Sequence, residues 1–438
     1  MPMSTSNTPD MPNTPEMPLP PKIVAYGVDT LVLNIYYLNT AGKPCKEDIP
    51  PELKEQLDAW KHAAMVAEEP VPVPLTFEGA SLHMYPNGAG KGQWRWLLRC
   101  ESFNLLISMG RLNCIAQVRL SSEHLWSSKM LDDAWLRVEM FLSDFFNRRI
   151  YVQVSEVHLC ADVAGWDVQG IDQRRDFVSR SRKRGTYEVT DLQIEDYSYG
   201  LTRSGFLFSR GGPMSCVIYD KTREIRQKSQ KWWFQDIWQA NGWNEEEQPT
   251  VWRVEFRFKR EVLHELSVED EFQGVEDAFD LSDRLPALWA YACGHVGSDK
   301  EGIHDGWLRF VVPGEDSNRS RWVTHPLWQA VQRAFTVLPE ASEDRREVVR
   351  KRKFQANLER AVASTVGNLS SMAAWLGRDG TVGEEADLLY MIAWLRTRTP
   401  VYLGKRKRKF AKEVEKKRVR FERQQADERE WFNHAHVG

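Results

Sequence analysis

The order of apolar and polar positions divides the chain into a strand-rich first part and a helical second part. Residues 28–38 alternate, with Leu31, Leu33 and Ile35 on one face, and predict a strand. Residues 50–67 open on two prolines and carry Leu53, Leu57, Trp60 and Ala64 at helical spacing, so a helix is predicted there. A Pro/Val linker is read at 70–74. Three apolar runs, 94–100, 103–109 and 115–120, follow a Pro-Asn-Gly turn at 86–90 and read as an antiparallel meander. In 131–146, Trp135, Val138, Leu142 and Phe145 recur every three or four residues, the mark of a helix with one buried face.

Three further strands carry polar residues on one face. In 154–162, alternation aligns His158, Cys160 and Asp162. Residues 206–208, the turn Gly211-Gly212-Pro213 and residues 215–221 read as a hairpin in which Val217, Tyr219 and Lys221 share a face. In 252–259, Arg253, Glu255, Arg257 and Lys259 face one way and Trp252, Val254, Phe256 and Phe258 the other. A short helix with Trp232 and Trp233 is read from Thr222. Helices packed on one face of an antiparallel sheet define an α+β class. After about residue 262 the pattern turns helical: 274–294 with a break at Pro286, then 326–338, 344–377 and 384–397. The expected domains are a tail at 1–24, a first domain at 25–265, a helical domain at 266–400 and a basic helical tail at 401–438.

Composition changes this picture in two places. The whole chain is slightly acidic, with a formal net charge of -3, yet 405–423 holds eleven Lys/Arg against three Glu. Such a block is a solvated face or a phosphate-binding one. The six cysteines form no CxxC pair and fall largely in apolar strands, which predicts reduced, buried thiols in a cytoplasmic protein. The first twenty-odd residues lack the pattern of a signal peptide, and no run is long and apolar enough for a membrane span. Segment 170–200 is polar and basic at 180–184, and reads as a DNA-facing loop or a solvated helix.

The polar strand faces suggest chemistry. A tyrosine two residues from a lysine on one face suits attack on a phosphodiester, with the ordinary strand aromatic as the bland alternative. Two carboxylates and an imidazole, Asp162, Glu255 and His158, suit a hard divalent cation, with an ion pair to flanking arginines as the alternative for Glu255.

The ordered set of a His/Asp strand, the Tyr219-Asp220-Lys221-Thr222-Arg223-Glu224 strand and the Trp252-Arg253-Val254-Glu255 strand resembles the replication initiation factor family. These are the Rep proteins of rolling-circle plasmids and the related relaxases of integrative conjugative elements. The resemblance covers roughly residues 26–265. The family carries Arg-x-Asp-x-x-x-Asp on the first strand, where this chain has Glu156, His158 and Asp162 and matches Asp162 directly.

The resemblance implies nicking and rejoining of one DNA strand at an origin through a tyrosine–phosphodiester intermediate. Tyr219 is the implied nucleophile, aided by Lys221 and Arg253, with Mg2+ or Mn2+ on Asp162, Glu255 and His158. Tyr197 and Tyr199 are rival nucleophiles. Arg257 and the run Lys405, Arg406, Lys407, Arg408 and Lys409 are expected to bind nucleic acid. Expected partners are origin DNA with a single-stranded or hairpin nick site, a host helicase and a second copy of the chain, with no membrane. A sequence-specific DNA-binding protein of the same fold without nicking is the alternative. An RNA-binding or scaffold protein using the Trp-rich sheet is a third reading.

Overall fold

A computed structural model describes residues 21–45, 47–110, 112–166, 170–180, 184–186, 205–268, 274–298, 302, 304–336, 348–350, 358–377, 384–405, 409–412, 414, 415 and 418. The chain forms two compact units, Met1–Lys351 and Arg352–Gly438.

The first unit begins with a 17-residue strand, β1 (Lys22–Leu38), followed by a short β2 (Pro44–Cys45) and helix α1 (Pro51–Ala67). The meander then runs β3 (Val71–Phe77), β4 (Ala80–Met84), β5 (Trp94–Arg99), β6 (Phe103–Ser108) and β7 (Ala116–Leu120). Helices α2 (Ser122–Ser127) and α3 (Leu131–Phe146) lead into β8 (Ile150–Ala164), β9 (Phe177–Ser179) and β10 (Arg184–Thr186). The predicted hairpin is β11 (Gly205–Phe208) and β12 (Met214–Asp220). Then come α4 (Lys221–Glu224), α5 (Trp233–Ala240), β13 (Val251–Lys259), α6 (Arg260–Glu265), β14 (Leu266–Val268), α7 (Ala278–Cys293), β15 (Leu308–Phe310), α8 (Pro326–Arg333) and β16 (Val348–Arg350). The second unit contains α9 (Leu358–Trp375) and α10 (Glu384–Lys405).

Among the described residues twelve strands make one sheet, in the order β10-β11-β12-β13-β8-β1-β7-β6-β5-β4-β3, with β2 on β1 and every pairing antiparallel. Sequence neighbours need not be sheet neighbours. β1 pairs with both β7 and β8, so it joins the meander to the strands that carry the polar residues. One face is apolar. Leu31, Leu33 and Ile35 of β1, Val157 and Leu159 of β8 and Phe256 of β13 share a core with Leu57 of α1, Val138 and Leu142 of α3, Leu288 and Trp289 of α7 and Trp328 of α8. This is the expected α+β architecture, with α1, α3, α7 and α8 packed on this face.

Several expectations shift. The Pro/Val stretch at 70–74 is part of β3 rather than a linker; β3 lies at the end of the sheet order, where proline's missing N–H leaves no ladder position unpaired. The helix with Pro286 runs unbroken from Ala278 to Cys293, because α7 buries Leu281, Leu285 and Leu288 against the sheet and tertiary packing outweighs the lost bond. Since α7 and α8 share the sheet's core, the compact unit extends to Lys351 and does not end near 265. Within the expected helix 344–377, residues 348–350 are strand β16, paired with β14, and the helix begins at Leu358.

Candidate functional site

The opposite face of the sheet carries the polar residues. Cross-strand register puts Tyr219 opposite Arg253 and Arg253 opposite Asp162; further along the strands, Val217, Glu255 and Cys160 align, then Ser215, Arg257 and His158. Because side chains alternate at period two, these three rows project to the same side. A turn formed by α4 and residues 225–229, followed by α5, covers one end of that face with Ile225, Phe234 and Trp238. What stays open is a cleft of about 370 Å³, lined by Asp29, Arg119, His158, Tyr219, Lys221 and Glu255 among others.

Tyr219 is at the floor of this cleft, 5% exposed. Its hydroxyl donates to Glu255 Oε2 at 3.2 Å. The other carboxylate oxygen, Glu255 Oε1, accepts from Arg257 Nε at 2.7 Å and lies 3.2 Å from His158 Nδ1. His158 Nε2 lies 2.6 Å from Glu156 Oε1. A continuous chain of polar contacts therefore leads from the phenol through Glu255 and His158 to Glu156. Burial raises the Glu255 carboxyl, but Arg257, His158 and Arg253 together hold it well below the usual carboxylate range. Burial, and then the Glu255 charge, push the Tyr219 phenol well above its usual range. Glu255 is thus a carboxylate accepting from an intact phenol, which must lose its proton to act as a nucleophile.

His158 is drawn two ways. Burial lowers its pKa, and the Glu156 and Glu255 carboxylates outweigh that and raise it above 6.5. A raised folded-state value means the imidazolium stabilises the fold below 6.5, and that contribution is lost as pH rises through the folded value. His158→Gln should therefore be less stable than the parent in mild acid, and the gap should narrow above neutrality. Urea midpoints of the two proteins across that range test this, and a gap independent of pH would mean that His158 carries no charge in the fold.

Lys221 is not the end of the strand. β12 stops at Asp220, which caps α4 by accepting from the Arg223 N–H, and Lys221 opens the helical turn. Its ammonium is 2.6 Å from Glu224 Oε2 and 5.9 Å from the Tyr219 ring centre, so it still faces the cleft. Burial, followed by nearby Arg253, lowers its pKa.

Arg253 and Asp162 lie apart from the open cleft. Both are fully buried. Arg253 Nε and Nη2 donate to the two Asp162 oxygens at 2.6 and 2.8 Å, and Nη1 donates to Asp29 Oδ1 at 2.6 Å. Trp238 Nε1 donates to Asp162 Oδ2 at 2.9 Å, and the Phe234 ring lies 4.4 Å from the guanidinium. Asp162 thus anchors an arginine instead of facing a metal ion. Glu255 has both oxygens engaged and His158 both nitrogens. Among the described residues no group of three or more His, Cys, Asp or Glu is placed to hold a metal. As arranged here, the three residues expected to share Mg2+ or Mn2+ do not fit one.

Several cleft residues escaped the sequence reading. Asp29 is the extra residue of a β-bulge between Val28 and Thr30, which turns its carboxyl toward the cleft. Its signal was a lone charge inside an apolar strand. Lys231 and Arg119 had no signal, because they reach the cleft from separate elements, and Glu224 stood in the quoted motif without a role assigned to it. Arg257 lines the cleft. Of the basic run, Lys405 ends α10 and Lys409 is exposed, whereas Arg406, Lys407 and Arg408 lie outside the described residues, as do Tyr197 and Tyr199. Among the described residues no helix is long and apolar enough to cross a membrane.

No protein-family model matches the chain. Over 177 residues it is 25% identical to the uncharacterized protein ORF430 of Pseudomonas phage Pf1, a span that covers 35% of this chain and 40% of that protein. Among solved structures it is similar to a rolling circle replication initiator protein from Geobacillus stearothermophilus, at 13% identity and a TM-score of 0.35, over 70% of this chain and 94% of that one.

Proposed function

We propose that the chain is a replication initiator that nicks one strand of origin DNA with Tyr219 and later rejoins it. The observation that carries this reading is the Tyr219 hydroxyl, held in a polar cleft against the Glu255 carboxylate. In the proposed step Tyr219 Oη attacks the scissile phosphorus and its proton passes to Glu255. The bond from phosphorus to the 3′ oxygen breaks. That oxygen leaves with a proton from solvent as a free 3′ hydroxyl, and a 5′-phosphotyrosine remains. Lys221 and Arg257, both lining the cleft, would bear on the charge that develops on the phosphate oxygens. The test is incubation with supercoiled DNA of the chain's own replicon, with and without manganese, followed by denaturation and a search for nicked DNA covalently bound to protein. Nicked DNA without an attached protein would overturn the tyrosine mechanism.

A second reading, a DNA-binding protein of this fold without nicking activity, is favoured by the engaged state of Asp162, Glu255 and His158. Binding of replicon DNA without any nicking would establish it.

The basic segment is assigned to DNA binding without site choice. Phosphate contacts position a protein and carry no direct sequence information. Deleting residues from 405 onward is expected to weaken binding to all duplex sequences equally. The slope of log affinity against log salt should fall by roughly 0.9 for each phosphate no longer neutralised. Nicking at saturating protein should persist. A salt slope equal to that of the full chain would mean the segment does not touch DNA.

A further inference from the structure

One straight row crosses the open face of the sheet at right angles to the strands. By register, Lys259 of β13 lies opposite Glu156 of β8, Glu156 opposite Val32 of β1, Val32 opposite Arg119 of β7, Arg119 opposite Asn104 of β6, and Asn104 opposite Arg99 of β5. The row runs beside that of Arg257, His158 and Thr30, so it starts at the edge of the Tyr219 cleft. Beyond the cleft it enters a second depression of about 210 Å³, lined by Arg99, Arg119, Asn104, Gln117, Leu97 and Val32 among others. Asn104 and Arg119 line both hollows, so the two adjoin at that pair.

Arg119 and Arg99 are exposed, and among the described residues neither has a side-chain hydrogen bond or salt bridge. The Arg99 guanidinium rests over the Tyr85 ring at 4.4 Å, which aims it without neutralising it. The one carboxylate in the row, Glu156, lines the same depression and lies 2.6 Å from His158; burial raises its pKa, and His158, then Arg119 and Lys259, hold it low. Exposed cations spaced two strands apart, roughly 9.5 Å, suit a polyanion. Asn104 stands between them, and the adjoining row of Leu97 and Leu106 gives the depression an apolar side that suits the flat faces of unpaired bases, which a duplex keeps hidden.

We infer that this row is the track for single-stranded DNA running from the Tyr219 cleft toward β5, with Arg119 and Arg99 gripping successive phosphates. This rests on the proposed nicking function for the choice of DNA, but the grip itself is tested separately.

The test is fluorescence anisotropy of a labelled oligothymidylate with the full chain over a salt series. For the variant carrying Arg99→Gln and Arg119→Gln, affinity should fall about tenfold or more, the cost of removing charge-assisted hydrogen bonds. The salt slope should become shallower by roughly 0.7 for each phosphate no longer neutralised on a single strand. Lys54→Gln, on the helix side, serves as control and should leave both unchanged. A double variant with parental affinity and slope would overturn the track. Reduced slope in a protein whose parent does not nick would keep the track and remove only the nicking reading. No oligothymidylate binding by the parent, with firm binding of oligouridylate, would overturn it in favour of RNA.

Discussion

Tyr219→Phe is expected to abolish the covalent protein–DNA adduct altogether while leaving DNA affinity near that of the parent. The substitution removes one oxygen. The ring that packs with Val217 and Leu207 is kept, while the hydroxyl's hydrogen bond to Glu255 is removed. Such a bond to a carboxylate contributes about 1.5–3 kcal/mol net, too little to unfold a unit whose core spans the large sheet and its helices. The covalent step requires a nucleophilic oxygen at this place, so the effect is complete loss and not a fold-change. The adduct is read by denaturing electrophoresis after incubation with the replicon DNA, and the attached residue by peptide mass spectrometry. An adduct retained by the variant and mapped to Tyr197 or Tyr199 would overturn Tyr219 as the nucleophile.

Arg253→Met is expected to destabilise the first unit by about 3–5 kcal/mol, the cost of removing one member of a buried ion pair. The guanidinium is fully buried and meets Asp162 twice and Asp29 once. Methionine fills much of the space and leaves the Asp162 carboxylate buried with Trp238 Nε1 as its remaining side-chain donor among the described residues. Adding Asp162→Asn removes the stranded charge and should restore part of the stability. The measurement is the urea midpoint of the single and double variants. A destabilisation below about 1 kcal/mol is the behaviour of an exposed pair and would contradict the buried node. If the single variant, assayed where it is still folded, does not nick, and the double variant regains stability without nicking, Arg253 also acts in the reaction, as the sequence resemblance implies.

Much of the architecture was legible because it follows from local periodicity. The alternation in Trp252, Val254, Phe256 and Phe258 against Arg253, Glu255, Arg257 and Lys259 separates the two faces of β13 as the structure has them. The helix from Pro51 and the helix over Leu131–Phe146 are where their apolar spacing puts them. Legibility failed where one force overrode the local signal. Pro72 and Pro74 read as linker residues but lie in a strand at the end of the sheet order. Pro286 reads as a break but sits in a helix held down by its buried leucines. The long basic helix expected from residue 344 is interrupted by β16, whose pairing with β14 joins segments far apart in sequence.

The candidate site divides along the same line. By itself the sequence determined which residues share a face, since that depends only on the two-residue period of a strand. Tyr219, Glu255, Arg257 and His158 were named on that basis, and they meet in one cleft. The tertiary structure alone decided what each of them touches. Register between β12, β13 and β8 puts Arg253 opposite Asp162, and so an expected metal ligand became the anchor of a buried arginine. A single-residue bulge in β1 turned Asp29 toward the cleft. The insertion of β1 between β7 and β8 aligned Arg119 and Arg99 with the strands of the Tyr219 cleft. Register, bulges and strand order are set by the packing of the whole sheet on its helices, an energy spread over many distant contacts, and no single stretch of the chain carries it.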